Sequence, residues 1–110
     1  MKIAILLKSG PCTDEADRAL QTAADMLSQG HTVNLFLLQE AVRFCRPDGK
    51  CSNSIRLQDL IDKNFAVHVL TRDAELRGIK TPAAGVDFLG GSYESVIDLM
   101  EFCDRVVGIL

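Results

Sequence analysis

A chain of 110 residues with a formal charge of −3 is the size of one domain and lacks the basic excess that nucleic-acid phosphates require. No apolar run approaches the roughly 20 residues that a membrane-spanning helix needs. The start MKIAILLKSGP is typical of a first core strand rather than of a signal peptide. We therefore predict one cytoplasmic domain over residues 1–110, with its four cysteines reduced at rest.

The first third of the chain predicts a β-α-β unit. The apolar run from Lys2 to Leu7 is typical of a strand that is covered on both faces. After a Ser-Gly-Pro break, alanines and leucines at helical spacing predict a helix that is capped by Thr13 or Asp14 and ended by Gly30. Residues 32–38 predict a second strand, and the short crossover favours a parallel pair.

The rest of the chain continues the alternation of strands and helices. Its predicted elements are a helical turn over 40–44, a helix over 54–64, a strand over 65–70, a short helix ending at Arg77-Gly78, a strand over 86–89, a helix from Ser92 and a strand over 105–109. This alternation predicts an α/β three-layer sandwich with a mainly parallel five-stranded sheet, flavodoxin-like or a near variant.

Three loop cysteines are candidates for chemistry. Cys12 lies between a strand and a helix N-terminus, where backbone N–H groups favour a thiolate although nearby acidic residues oppose it. Cys45 and Cys51 flank a polar turn and suit a reversible disulfide or a relayed sulfur better than a metal. Loop cysteines without a task remain the alternative for all three. Val96, Leu99, Met100 and Cys103 form the apolar stripe of the last helix, which is expected to face inward, and Cys103 is expected to be a core residue.

Polar residues at the carboxyl ends of the predicted strands form a candidate binding crevice, because ligands of open α/β sheets collect there. The candidates are Gly10, Glu40, Arg72, Asp73, Gly91 and Ser92. Arg72 could hold an anion, and a surface pair with Asp73 is the alternative. Ser92 opens a helix, where a plain N-cap is favoured over an anion site. Glu40 could equally be a subunit contact. His68, inside the third strand, is expected to be satisfied by hydrogen bonds.

Four stretches taken in order resemble the DsrE/DsrF/TusD family of small sulfur-relay proteins: IAILLKSGP, GHTVNLFLLQEAV, LRGI and CDRVVGIL. The resemblance covers nearly the whole chain and implies a DsrE-like sulfurtransferase fold that assembles into trimers or hexamers. It also implies a persulfide-carrying cysteine just after the third strand, which would fall at Leu70, and in some members a second at Asp73. Neither position is a cysteine, so the family's relay site does not carry over to this segment.

Two functional hypotheses follow. In the first, a sulfurtransferase without a cofactor takes sulfur from a donor protein onto Cys12 or the Cys45/Cys51 pair, with Arg46 or Lys50 favouring the anion, and passes it to an acceptor cysteine. In the second, a non-catalytic subunit holds a small anion or a partner's loop in the crevice. A flavin- or nucleotide-binding domain is disfavoured, because one tyrosine and no tryptophan are available for stacking. We expect a homo-oligomer, with neither nucleic acid nor membrane as a partner.

Overall fold

The computed structural model describes residues 1–45, 65–79 and 88–109. Its elements in chain order are β1 (Lys2–Leu7), α1 (Asp14–Ser28), β2 (Thr32–Leu37), a 3₁₀ helix (Gln39–Cys45), β3 (Phe65–Leu70), α2 (Thr71–Leu76), β4 (Phe88–Gly91), α3 (Tyr93–Glu101) and β5 (Arg105–Ile109). The side chains of Cys45 and Phe88 lie outside the description.

The five strands form one parallel sheet in the order β4-β3-β2-β1-β5. The predicted α/β sandwich with a mainly parallel five-stranded sheet is thereby confirmed. The order differs from the 2-1-3-4-5 order of flavodoxin, so the near variant applies. β1 lies between β2 and β5, and β3 lies between β2 and β4. The carboxyl ends of β1, β2 and β3 are therefore neighbours at one edge of the sheet.

Alternate strand residues divide the core between the two faces of the sheet, as expected for strands covered on both sides. One face, which we call the α1 face, carries Ile5, Leu35 and Val67 under α1, the 3₁₀ helix and α2. Four residues of α1 in this part of the core are fully buried: Ala16, Ala19, Leu20 and Ala23. Small alanine side chains let this helix lie close to the strands.

The opposite face, which we call the α3 face, is built around Ala4, Phe36, Leu70 and Val96. Met100 and Cys103 pack against these residues from the α3 side and are partly buried. Leu99 was predicted to face inward with them, and this prediction is wrong, since Leu99 is 41% exposed.

The predicted ends of several elements are confirmed. Thr13 is the N-cap of α1, where its Oγ1 accepts the Ala16 N–H at 3.2 Å. Gly30, just past the helix, has a φ of +87°, a conformation that favours glycine. β4 ends at Gly91, two residues beyond its predicted end. The predicted helix over 54–64 lies outside the described residues.

Candidate functional site

Backbone contacts bring the loop after β1 against the start of the 3₁₀ helix. The Ala41 N–H donates to the Lys8 carbonyl at 3.2 Å, and the Leu38 N–H donates to the Leu7 carbonyl at 3.0 Å. A Cβ atom at Gly10 would lie 3.3 Å from the backbone oxygen of Glu40, so the approach is close. Two of the predicted crevice residues, which follow two neighbouring strands, therefore lie against each other.

Cys12 is exposed on this loop and is disulfide-bonded. Its φ of +68° is unusual for a residue with a side chain. The next residue, Thr13, holds the turn by donating its hydroxyl to the Gly10 carbonyl at 2.7 Å. The expectation that all four cysteines are reduced at rest is wrong for Cys12, because a sequence pattern does not show which sulfurs the fold brings within bonding distance.

A cluster of charged side chains lies just after the end of β2, near Gly10. The Glu40 carboxylate accepts hydrogen bonds from Arg43 and, at 3.1 Å, from Arg77 Nε. These bonds, with that of Arg43 first, hold the pKa of Glu40 below its ordinary value. Arg77 also donates from Nη1 to the Asp73 carbonyl at 3.1 Å. The cluster thus joins the end of β2 to the end of α2.

Arg77 was missed as a site residue, although the Arg-Gly element of the family resemblance could have indicated it. The Glu-containing end of the second strand was a separate part of the same resemblance. In the structure these two parts contact each other through Arg77 and Glu40, which are 37 positions apart in the sequence. Arg77 is the more buried partner, with 21% of its side chain exposed against 52% for Glu40.

At the end of β3 the chain passes directly into α2, and Leu70 occupies the N-cap position without a capping side chain. Leu70 is 1% exposed and belongs to the α3 face of the core. Asp73 accepts the Gln39 N–H at 2.7 Å. Arg72 is exposed at the surface. The position at which the resemblance expects a relay cysteine is therefore a buried core position.

The end of β4 reaches the same edge, since Gly91 is the partner of Leu70 in the sheet register. Ser92 caps α3 and accepts the Ser95 N–H at 3.2 Å, as the N-cap alternative predicted. The Ser95 hydroxyl donates back to the Ser92 carbonyl at 2.9 Å. A Cβ atom at Gly91 would lie 2.7 Å from Ser95 Oγ, so glycine leaves room for this turn.

A small cluster of polar side chains lies on the α3 face, away from the crevice. His68 is 8% exposed, bonds Asn34 Oδ1 at 3.1 Å and stacks on Phe36 with ring centroids 4.8 Å apart. The expectation of a satisfied strand histidine is confirmed, and burial lowers the pKa of His68. Cys103 is a free thiol whose sulfur lies 4.0 Å from Asn34 Nδ2. Burial raises the pKa of Cys103, so its protonated form is favoured.

A groove of about 500 Å³ lies between α1 and β5, the edge strand that pairs with β1. It is lined by Arg18, Gln21, Thr22, Val107, Gly108 and Ile109. The sequence did not indicate this groove, because the residues that line it come from opposite ends of the chain.

The positions of the other two predicted site cysteines are not described, because the side chain of Cys45 and the whole of Cys51 fall outside the described residues.

Within residues 1–45, 65–79 and 88–109, no three histidine, cysteine or acidic residues are grouped as a metal site would require. The described helices also include none that is long and apolar enough to cross a membrane.

Two solved structures share this fold. The ychN protein from E. coli is 20% identical, has a TM-score of 0.76 and covers 98% of both chains. The conserved protein of unknown function BT1422 from Bacteroides thetaiotaomicron is 14% identical, with a TM-score of 0.74, and covers 98% of this chain and 94% of that one. At these identities the likeness shows the fold alone. No curated protein matches the chain.

The sequence profile of the DsrE/DsrF-like family matches residues 1–108. The resemblance found from four short stretches is thereby confirmed over nearly the whole chain. The family is of the sulfur-relay type. The chain therefore belongs to the DsrE/DsrF-like family.

Proposed function

We propose that this protein carries sulfane sulfur on a loop cysteine at the carboxyl edge of its sheet, with Cys12 as the first candidate. The observation that carries the proposal is the position of Cys12, exposed and already bonded to another sulfur, on the loop after β1. Leu70, where the family resemblance expects the relay cysteine, is a buried apolar residue instead.

Sulfur transfer needs a thiolate on Cys12 and access of the donor and acceptor proteins to it. After reduction, the Cys12 thiolate attacks the outer sulfur of a donor protein's persulfide, a persulfide forms on Cys12, and the donor thiolate leaves. An acceptor cysteine thiolate then attacks that outer sulfur and restores Cys12. Cys12 lies two residues before the first residue of the 15-residue helix α1, and the first N–H groups of a helix favour a nearby anion. Asp14, Glu15 and Asp17 in its first turn oppose this effect.

The neighbouring residues have a supporting role in the proposal. Glu40 and Arg77 fix the 3₁₀ helix against α2, and Gly10 lets the Cys12 loop lie against Glu40. Arg72, exposed at the end of β3, is the proposed contact for an anionic group of the sulfur donor or acceptor. Asp73, Gly91 and Ser92 border the same edge. Cys45 and Cys51 remain candidates for the second sulfur position.

The test is a sulfur-loading experiment on the reduced protein. The protein is reduced, freed of reductant, incubated with glutathione persulfide and mapped by mass spectrometry after alkylation. We expect one added sulfur on a loop cysteine and its loss in Cys12→Ser. The matched control is Cys103→Ser, which removes the half-buried free thiol and is expected to load normally. Absence of added sulfur on Cys12, Cys45 and Cys51 in every variant would overturn the proposal.

A second candidate function, a non-catalytic subunit of a homo-oligomer, is favoured by apolar side chains on the outer side of α3. Tyr93 and Ile97 are one helical turn apart and are 64% and 41% exposed, and Phe102 just past the helix is 78% exposed. Large apolar side chains exposed close together in the chain are typical of an interface when they form one patch. We propose a trimer or hexamer that buries these side chains. The Phe102→Asp variant is expected to have a molecular mass in light scattering that is closer to that of the monomer. An unchanged mass in that variant, or a monomeric wild-type protein, would contradict this assignment.

A further inference from the structure

β5 is an edge strand, and one row of its backbone groups faces away from the sheet. Among the strands in residues 1–45, 65–79 and 88–109, it pairs with β1 alone. The Asp104 N–H, just before β5, donates to the Lys2 carbonyl at 2.7 Å, so the backbone of Asp104 faces β1. Because successive strand residues turn their backbone groups to opposite sides, Val106 and Gly108 also face β1. The outward-facing residues are therefore the alternate ones: Arg105, Val107 and Ile109.

The same three residues place their side chains on the α1 face of the sheet, because their partners in β1 belong to the core of that face. Val107 and Ile109 are half-buried, pack against that core and line the groove beside α1. An open strand edge with apolar side chains beside it is a template for pairing with another chain. β5 has no proline and one charged residue, Arg105, to oppose such pairing.

We infer that β5 pairs in antiparallel orientation with β5 of a second copy of this chain, around a two-fold axis at Val107, so that one sheet runs through both copies. The inference goes beyond the proposed function, since sulfur transfer on Cys12 does not need this interface. It also differs from the interface proposed on α3, which lies on the opposite face of the sheet.

The pattern of outward backbone groups fits a second copy. In an antiparallel pair, two opposed residues exchange both hydrogen bonds when the backbone groups of each face the other. A two-fold axis at Val107 places Val107 opposite its own counterpart, and Arg105 opposite Ile109 of the second copy. All outward-facing residues of both strands then lie at hydrogen-bonded positions, with about six bonds in total. The two sides of the contact are identical, as in most dimers.

The side chains add an apolar contact to these hydrogen bonds. Opposed residues of an antiparallel pair have their side chains on the same face and in contact. The Val107 side chains of the two copies therefore meet on the α1 face. The aliphatic stem of Arg105 can lie along Ile109 of the second copy, with its charged end in water. The half-buried apolar residues at the edge of each groove thereby become covered.

Charge complementarity favours the same arrangement. Antiparallel pairing places the start of one β5 beside the end of the other. β5 runs parallel to β1, so it ends at the edge of the sheet where α1 begins, and the first turn of α1 carries Asp14, Glu15 and Asp17. Arg105, exposed at the start of β5, has its side chain on this same α1 face. The guanidinium of each copy therefore lies on the side of an acidic turn of the other.

The experiment is a cross-link at the proposed axis in the full chain. Val107→Cys places two thiols opposite each other, with Cα atoms about 5.5 Å apart, within the range that a disulfide spans. The matched control is Val106→Cys, at a residue that is 48% exposed. In the proposed register its counterpart is about 8 Å away, beyond that range. Both variants are treated with diamide, and the linked peptides are identified by mass spectrometry.

We expect a dimer linked through position 107, and a link through position 106 that forms at least about tenfold more slowly. The link at position 107 should persist when Phe102→Asp is added, because the α3 interface is a separate surface. Equal rates at the two positions, or no link at position 107, would overturn the inference. Sulfur loading of Cys12 is measured independently, so the carrier function would stand in either case.

A second variant tests the hydrogen bonds of the edge. Val107→Pro removes an outward N–H, and proline is tolerated on edge strands at such positions. Its mass in light scattering is expected to fall by about half relative to the wild-type protein, since a two-fold contact is lost. Val107→Ala keeps the N–H and is the matched control, with a smaller expected loss. Circular dichroism checks that both variants fold. A folded Val107→Pro variant with the wild-type mass, or a monomeric wild-type protein, would contradict the inference.

Discussion

The ends of β1 and β3 lie at the same edge of the sheet but differ in what they present there. β3 runs directly into α2, and its last residue, Leu70, is 1% exposed in the core of the α3 face. β1 is followed by a loop that carries Cys12 at a φ of +68°, exposed and disulfide-bonded. The strand end on which the family resemblance places the relay cysteine thus serves packing here, whereas the neighbouring strand end carries the accessible sulfur.

The two ends are not independent, because the start of the 3₁₀ helix lies between them. Glu40 touches Gly10 on the β1 side and binds Arg77, which follows α2, on the β3 side. Asp73 of α2 accepts the Gln39 N–H at 2.7 Å. A change at the β3 end can therefore disturb the loop of Cys12 without touching it.

The largest expected effect is on packing at the β3 end. Leu70→Ala removes a fully buried side chain and is expected to lower the free energy of unfolding by about 2–5 kcal/mol. Leu76→Ala, on a residue that is 68% exposed, is the matched control and is expected to change it by less than about 0.5 kcal/mol. Urea denaturation followed by circular dichroism measures both. Equal losses in the two variants would mean that Leu70 does not pack in the core.

His68, two residues before Leu70 on the same strand face, gives a pH-dependent effect. Burial lowers its pKa, so below the ordinary histidine pKa the unfolded chain binds a proton that the folded chain resists. Stability is therefore expected to fall as the pH falls from about 7.5 to about 5.5, across the ordinary histidine range. The urea midpoint of His68→Gln should depend less on pH in this window than that of the wild-type protein. Parallel curves would contradict the burial of a neutral His68.

A smaller effect is expected from Glu40, which links the two ends. Its hydrogen bonds from Arg43 and Arg77 lower its pKa, so its contribution to stability is present at neutral pH and is lost as the pH falls through that lowered pKa. Thermal unfolding should show a steeper loss on acidification below about pH 4.5 in the wild-type protein than in Glu40→Gln. Because the carboxylate is exposed to solvent, the difference should shrink at high salt. A difference unaffected by salt would argue against an exposed ion cluster.

The smallest expected change is in the positions at which the Leu70→Cys variant is loaded with sulfur. This substitution places a thiol where the family resemblance expects one, but the position is almost closed to solvent. A buried thiol in apolar surroundings is a poor nucleophile, so sulfur loading should remain on the loop cysteines and position 70 should stay unmodified. Mass mapping after incubation with glutathione persulfide measures this. Sulfur on position 70 would show that the two strand ends are interchangeable.

The residues that were correctly placed from sequence are those whose position depends on near neighbours. The strand at Phe65–Leu70 and the cap at Thr13 were predicted because apolar runs and capping side chains act within a few residues. The prediction for Leu99 was wrong because α3 has several apolar residues, and the sequence does not show which of them the sheet covers. Gly10 and Glu40 were predicted to share an edge, but their contact with each other was not.

The sequence by itself determined the alternation of strands and helices, the parallel sheet and the family, because periodicity, caps and turns are local properties of the chain. Tertiary structure alone decided the strand order, the pairing of Glu40 with Arg77 across 37 positions, and the bonding of Cys12 to another sulfur. These depend on which distant segments the folded sheet brings together, and packing of the whole chain settles that choice rather than any short run of residues.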